Sequence, residues 1–318
     1  MVTLRAPVAQ SDRASDFESA GRPFESGRAH QKFIGLLPQF RGGCKKRSFL
    51  MRFNQFRLGV TLFLCLMALS CSSKNFTHSQ ALTIAGSTSV QPFAEKLAEI
   101  YMDINPKLII NVQGGGSTAG IKACREKVAQ IGTSSRELHP NEGDLTKIII
   151  AKDGIAVIVH PQNPVNDISI EQLRGIFSGK IRSWSRLGWV DKPIYFVNRE
   201  EGSGTRDAFE SLVMKKGEIS DEALVQDSNG SVREIIANNP QAIGYISFGI
   251  LNHQVKALAV NSVIPNLTTI KNNQYTLTRP FIFVLPSQPT PLASQFVDFV
   301  LSQEGQQILE KEGLVGFQ

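Results

Sequence analysis

The chain has 318 residues, 34 Lys plus Arg against 28 Asp plus Glu, a formal charge of +6 and 42% apolar side chains. Basicity of that size invites a nucleic-acid reading, but the distribution of charge excludes it. Residues 1–70 hold 11 basic and 4 acidic side chains, which leaves 23 basic against 24 acidic in the remainder, so the whole positive excess lies at the N-terminal end.

Residues 1–50 are polar, Arg-rich and similar to the peptide expected from translating a transfer-RNA gene. Two accounts stay open for them, a start codon placed upstream of a true initiator Met51 or a genuine disordered extension. Residues 51–70 have the layout of a secretory signal peptide, with Arg52 and Arg57 ahead of an apolar run over 58–69. That run is shorter than the ~20 residues of a spanning helix. Met67-Ala68-Leu69-Ser70-Cys71 resembles a bacterial lipobox, although Ala68 stands where leucine is usual. Acylation of Cys71 would leave 71–81 as a polar tether; an ordinary signal peptide with an incidental cysteine is the alternative. Only Cys124 follows, so no intrachain disulfide or cysteine-based metal site is expected, and Cys124 reads as a small buried apolar residue.

Beyond residue 81 strand-like and helical patterns alternate. Strands are expected at 82–85, 108–112, 147–150, 154–160, 194–197, 242–247 and 281–285. Helices are expected at 90–105, 119–127, 170–177, 206–215 and 231–238, with one or two more over 292–309. Asp153-Gly154 reads as a turn into the strand leaving the first lobe, and 262–276 as a polar irregular connection. The alternation predicts an α/β fold with largely parallel sheets, whose ligands sit beyond the carboxyl ends of the strands.

Three loops fall at such ends: Gly86-Ser87-Thr88-Ser89, Gly114-Gly115-Gly116-Ser117-Thr118 and Gly202-Ser203-Gly204-Thr205, the last three residues after Arg199. A helix start leaves unpaired N–H groups and the positive end of the helix dipole, so it attracts anions. Glycine permits close backbone approach, and hydroxyls add donors without charge. Each loop alone is an ordinary turn or cap; three with an arginine predict a pocket for a tetrahedral oxyanion. The histidines lack H-x-x-H or H-E-x-x-H spacing, so neither metal nor other cofactor is expected.

AGSTSVQPFAEKLAEIY, VQGGGSTAGIKA, IGTSSREL, LRGIFSGKIRSWSRLG, VNREEGSGTRDAFES and GQQILEKEGLVGF, in this order, resemble the periplasmic phosphate-binding proteins of ABC importers. The resemblance runs from about residue 82 to 318. It implies a type II periplasmic-binding-protein fold, with two lobes of mostly parallel sheet flanked by helices and joined by a two-segment hinge. Lobe I would comprise 82–156 plus 252–318 and lobe II 157–251, with crossings near 155–157 and 248–252. It further implies a monomer that is periplasmic or at the cell surface, binds inorganic phosphate and serves a membrane permease, without catalysis.

Matching the motifs residue by residue assigns the ligand set to Thr88 through its hydroxyl, Ser89 through its backbone, Ser117, Ser135, Arg199, Ser203, Gly204 and Thr205. Several relatives place an aspartate where this chain has Ser135, a carboxylate that accepts the proton of hydrogen phosphate and repels sulfate. Glu200 or Glu201 is a candidate replacement acceptor, and Arg136 is either a second cationic ligand or a clamp on the Ser135 loop. Three alternatives remain: another oxyanion such as sulfate or molybdate, a signalling or adhesion lipoprotein, and a phosphatase using Ser203. The last fares worst, because Glu201-Gly202-Ser203-Gly204-Thr205 is not a G-x-S-x-G elbow.

Overall fold

The computed structural model describes residues 80–317. The expected extension, the signal peptide, Cys71 and the tether up to residue 79 lie outside the described residues.

Strand β1 (Gln80–Gly86) buries Leu82 and Ile84 and runs into helix α1 (Gln91–Ile104), which turns Phe93, Leu97 and Tyr101 inward. Ile104, at the end of the expected apolar face, is 58% exposed. Strand β2 (Leu108–Gly114) leads to α2 (Ser117–Arg125), which starts two residues earlier than expected and so places Ser117 in its first turn. Strand β3 (Ile131–Ser134) follows, wholly buried and not anticipated as a strand.

The two runs expected at 147–150 and 154–160 are one strand, β4 (Thr146–Val159), and Asp153-Gly154 makes no turn. Asp-Gly is locally a turn signal, but here tertiary pairing overrides it. Asp153 faces Arg279 on a neighbouring strand, and a Cβ at Gly154 would lie 2.7 Å from Ile270 Cδ1.

Next come β5 (Asp167–Ile168), α3 (Ile170–Phe177) behind a Ser169/Gln172 capping box, and β6 (Tyr195–Arg199). Helix α4 (Gly204–Phe209) is capped by Ser203 and continues as a π turn to Met214. Strand β7 (Leu224–Gln226) precedes α5 (Asn229–Asn238) and β8 (Ala242–Ser247). The chain then forms β9 (Lys256–Ala257), β10 (Ala259–Val260), α6 (Leu267–Lys271) and β11 (Thr278–Leu285). It closes with α7 (Pro291–Leu301), α8 (Gln303–Lys311) and β12 (Val315–Gly316), the two helices being separated by the Ser302 cap.

The main sheet has the order β2-β1-β3-β11-β4-β8-β6-β7. Its arms are parallel, β1 with β2 and β3 on one side and β6 with β7 and β8 on the other. The centre is antiparallel, β3 with β11, β11 with β4, and β4 with β8. The expectation of mostly parallel sheet therefore applies to the arms, not to the strands that join them.

The two largest hydrophobic clusters among the described residues form the cores of the two halves. One gathers Leu82, Ile84, Phe93, Leu97, Phe281, Phe283 and Phe296. The other gathers Val157, Val159, Phe177, Trp184, Phe196, Phe209 and Tyr245. Trp184 is fully buried there, with its indole N–H donating to Gln241 O at 2.8 Å.

Residues 256–277, expected in the first lobe, pack with the second. Leu258, Val260, Ile270, Tyr275 and Leu277 join the second core, β9 pairs with β4 at Ile158 and Val159, and β10 pairs with β5. The polarity of 262–276 masks the anchors Ile270 and Tyr275. The chain passes between the cores within β4 and again at Leu277–Thr278, while Ile250, inside the crossing expected near 248–252, packs against the first core. The two crossings are bonded by Ile155 N–H to Leu277 O at 2.7 Å, and the Tyr275 hydroxyl donates to Ile155 O at 2.8 Å.

Candidate anion site between the lobes

The strands of the two parallel arms run in opposite directions, separated by the antiparallel centre, and polar loops from both arms meet at one site. Beyond β1 lie Ser87, Thr88 and Ser89, beyond β2 the Gly115-Gly116 turn into Ser117, beyond β3 Ser135, beyond β6 the 202–205 loop, and beyond β7 Asn229. Gly116 is the N-cap of α2 with φ 91°, and a Cβ on it would stand 3.0 Å from Gly202 O of the opposite lobe. Glycine is required there by both backbone angle and space.

The eight residues expected to hold the ligand come together from both lobes. Arg199 Nη2 donates to Thr88 Oγ1 at 3.0 Å, and the hydroxyls of Ser89 and Thr205 are 2.8 Å apart. Ser135 N–H donates to Ser117 Oγ at 3.0 Å, and the two hydroxyl oxygens are 3.4 Å apart. Gly204 closes over this pair: a Cβ on it would be 2.2 Å from Ser117 Oγ and 2.7 Å from Ser135 Oγ. Ser203 Oγ caps α4 by accepting from Arg206 N–H at 3.4 Å. Across the same cleft Thr118 N–H donates to Gly202 O at 3.1 Å.

Ser89 uses both its backbone and its hydroxyl at the site. Its backbone N–H donates to Ser87 Oγ at 3.2 Å, and it is the hydroxyl that crosses the cleft.

Arg199, 1% exposed, is held as a rigid fork. Its Nε and Nη2 each lie 2.9 Å from one oxygen of the Glu200 carboxylate, and the carbonyls of Gln226 and Asp227 accept from the same two nitrogens. Its Nη1 is buried and has no hydrogen-bond partner among the described residues. A buried guanidinium donor left unpaired is costly, and an anion is the chemistry that satisfies it. Glu200 is thereby committed to Arg199 instead of standing as a proton acceptor, and Glu201 is exposed.

Of its two expected roles, Arg136 takes that of a clamp. Its Nη1 and Nη2 bind Glu142 at 2.8 and 2.9 Å, Nη2 also reaches Thr118 Oγ1 at 3.1 Å, and Nε lies 2.7 Å from Asp207 of the other lobe. Burial would raise the Glu142 carboxyl, but the Arg136 guanidinium and the His139 N–H together hold it below the ordinary range. A cavity of about 300 Å³ alongside includes Arg136, Asp207 and Arg279 in its wall.

Four residues at the site stand outside the ligand set expected from the sequence. Ser87 donates to Ser135 Oγ at 2.8 Å, and Asn229 Nδ2 donates to Ser89 Oγ at 2.8 Å. Arg279 Nη2 donates to Ser89 Oγ at 3.1 Å and ion-pairs Asp153 at 3.1 Å, both side chains being at most 1% exposed. Burial pushes the Asp153 carboxyl up against the pull of Arg279. Ser87 and Asn229 stood inside visible turn or cap patterns; Arg279, beside Pro280 at a strand start, carried no local signal.

The family model for the PBP superfamily domain matches residues 72–304. The chain is 35% identical over 243 residues to a phosphate-binding protein PstS of Bacillus subtilis, covering 74% of this chain and 81% of that one. A Clostridium perfringens structure, described as a phosphate ABC transporter substrate-binding protein with bound phosphate, is 39% identical with a TM-score of 0.73, over 75% of this chain and all of that one. An ABC-type phosphate transport receptor from Vibrio cholerae is 36% identical with a TM-score of 0.63, over 74% and 99%. A two-lobed mixed α/β architecture of the type II periplasmic-binding kind is common to them. The chain belongs to the PBP superfamily and, within it, to the family of the phosphate-binding protein PstS.

Proposed function

We propose that this protein captures inorganic phosphate outside the cytoplasm and presents it to the permease of an ABC importer, as a monomeric binding protein with no catalytic step. The observation that carries the reading is the buried Nη1 of Arg199, without a partner among the described residues, beside hydroxyls delivered by both lobes. Hydrogen bonds to a charged group contribute roughly 1.5–3 kcal/mol each. Six or more of them exceed the ~8 kcal/mol of micromolar binding, with a margin for association costs. Thr88, Ser89, Ser117 and Ser135 would come from a first lobe of residues 80–154 and 278–317. Arg199, Ser203, Gly204 and Thr205 would come from a second lobe of 155–277. An anion bridging them favours the closed arrangement by its differential affinity, and closure is the signal a permease can read.

A second reading, sulfate or another tetrahedral oxyanion, is favoured by one observation. Ser135 is neutral, and the carboxylates close by are paired with arginine: Glu200 with Arg199, Glu142 and Asp207 with Arg136, Asp153 with Arg279. Charge repulsion against a fully deprotonated dianion is therefore weak. Isothermal titration with phosphate, sulfate and molybdate, each at two pH values, tests both readings. Phosphate is expected to bind most tightly, and silence toward all three anions would refute oxyanion capture.

Anchoring through an acylated Cys71 is part of the same proposal. Among the described residues no helix is long and apolar enough to cross a membrane. Cys71→Ser is expected to shift the protein from the membrane to the soluble fraction, and unchanged membrane retention would overturn the lipid anchor.

A further inference from the structure

A hydroxyl oxygen has two lone pairs and one proton to place. Both lone pairs of Ser89 Oγ are taken, one by Arg279 Nη2 at 3.1 Å from the first lobe and one by Asn229 Nδ2 at 2.8 Å from the second. Its proton must then be donated, and Thr205 Oγ1 at 2.8 Å is its partner across the cleft. Thr205 in turn accepts from Ser89 and keeps its own proton for a further acceptor.

Neither back donor can turn away. Arg279 Nε and Nη2 both hold the Asp153 carboxylate at 3.1 Å, its Nη1 reaches Ser135 O at 3.4 Å, and its guanidinium lies 5.4 Å from the centre of the Phe281 ring. Asn229 is oriented by Ser247 N–H, which donates to its Oδ1 at 3.1 Å, so its NH₂ faces Ser89. Asp153 is itself anchored on β4, directly opposite Arg279 on β11. The strands that carry the chain between the lobes thus set the position of one donor, and the start of α5 sets that of the other.

We infer that Arg279 and Asn229 are positioning residues that fix the direction of a hydroxyl relay, Ser89 to Thr205, so that Thr205 presents its proton to the bound oxyanion. This rests on the oxyanion reading of the site. Neither residue touches the anion in this scheme; each acts through Ser89. A preorganised donor avoids the cost of reorienting a hydroxyl when the ligand arrives. Losing either back donor frees a lone pair on Ser89, and the relay can then run in either direction.

A double-mutant cycle on phosphate affinity separates this role from mere support of the fold. Arg279→Lys keeps a cation beside Asp153 but loses the planar fork. With Ser89 present it is expected to weaken phosphate binding about tenfold, and in the Ser89→Ala background by less than about twofold. Equal losses in both backgrounds would overturn the inference, because a purely structural contribution does not depend on the Ser89 hydroxyl. If Arg279→Lys fails to fold by its melting profile, Asn229→Ala run against Ser89→Ala decides on the same criterion. A wild-type protein that binds none of phosphate, sulfate and molybdate sinks the oxyanion reading together with the relay. A wild-type protein that binds, combined with an additive cycle, sinks the relay alone.

Discussion

Arg199→Ala is expected to weaken phosphate binding by about 100- to 1,000-fold, because truncating one member of a buried charge pair costs roughly 2–5 kcal/mol. The folded protein should survive. Glu200, the partner left behind, is 26% exposed, so its carboxylate can hydrate instead of remaining an uncompensated buried charge. The carbonyls of Gln226 and Asp227 lose a donor each, which predicts a melting temperature lower by only a few degrees. Calorimetric titration and a thermal melt on the same sample check the two halves. A variant that titrates like the wild type would remove Arg199 from the ligand set.

Gly204→Ala separates binding from folding in the opposite sense. Gly204 has no positive φ and opens α4, so alanine suits its backbone and its helical environment. The added methyl nevertheless meets Ser117 Oγ at 2.2 Å, Ser135 Oγ at 2.7 Å and Ser117 Cβ at 3.0 Å, all from the opposite lobe. Overpacking of this kind costs roughly 1–3 kcal/mol, and here it is incurred only when the lobes meet. Phosphate affinity should fall about ten- to a hundredfold while the melting temperature without phosphate holds or rises. Affinity equal to wild type would show that the lobes need not approach this closely around the anion.

Much of this site is readable from the chain because its parts are local. Gly116 ahead of Ser117, and Ser203 ahead of Gly204 and Thr205, are helix starts, and the chemistry of a helix start is set within four or five residues. The alternating Leu82 and Ile84 and the inward face of α1 declare themselves by period in the same way. The pattern over 292–309 predicts one or two helices, and the structure forms two, divided at the Ser302 cap.

What escaped is what depends on distant segments meeting. Asp153 and Arg279 are 126 residues apart, and Arg279 and Ser89 are 190 apart. Neither an Asp-Gly pair nor an Arg-Pro pair advertises a buried ion pair at the junction of two lobes. The same holds for Glu200, whose commitment to Arg199 follows from burial that no adjacent residue encodes. Residues 262–276 read as a polar connection because their few apolar anchors, Ile270 and Tyr275 among them, sit on a short helix and its exit and follow no regular period.

Short-range preferences were thus enough to establish an α/β chain with hydroxyl-rich, glycine-bearing loops at its strand ends and one arginine among them. Which lobe owns residues 256–277, why β4 runs unbroken through Asp153-Gly154, and which side chains orient Ser89 from behind were settled only by packing. The reason is physical: capping and periodicity act through backbone neighbours a few residues away, whereas desolvating a charge and saturating a hydroxyl require partners that only the assembled core brings within hydrogen-bond reach.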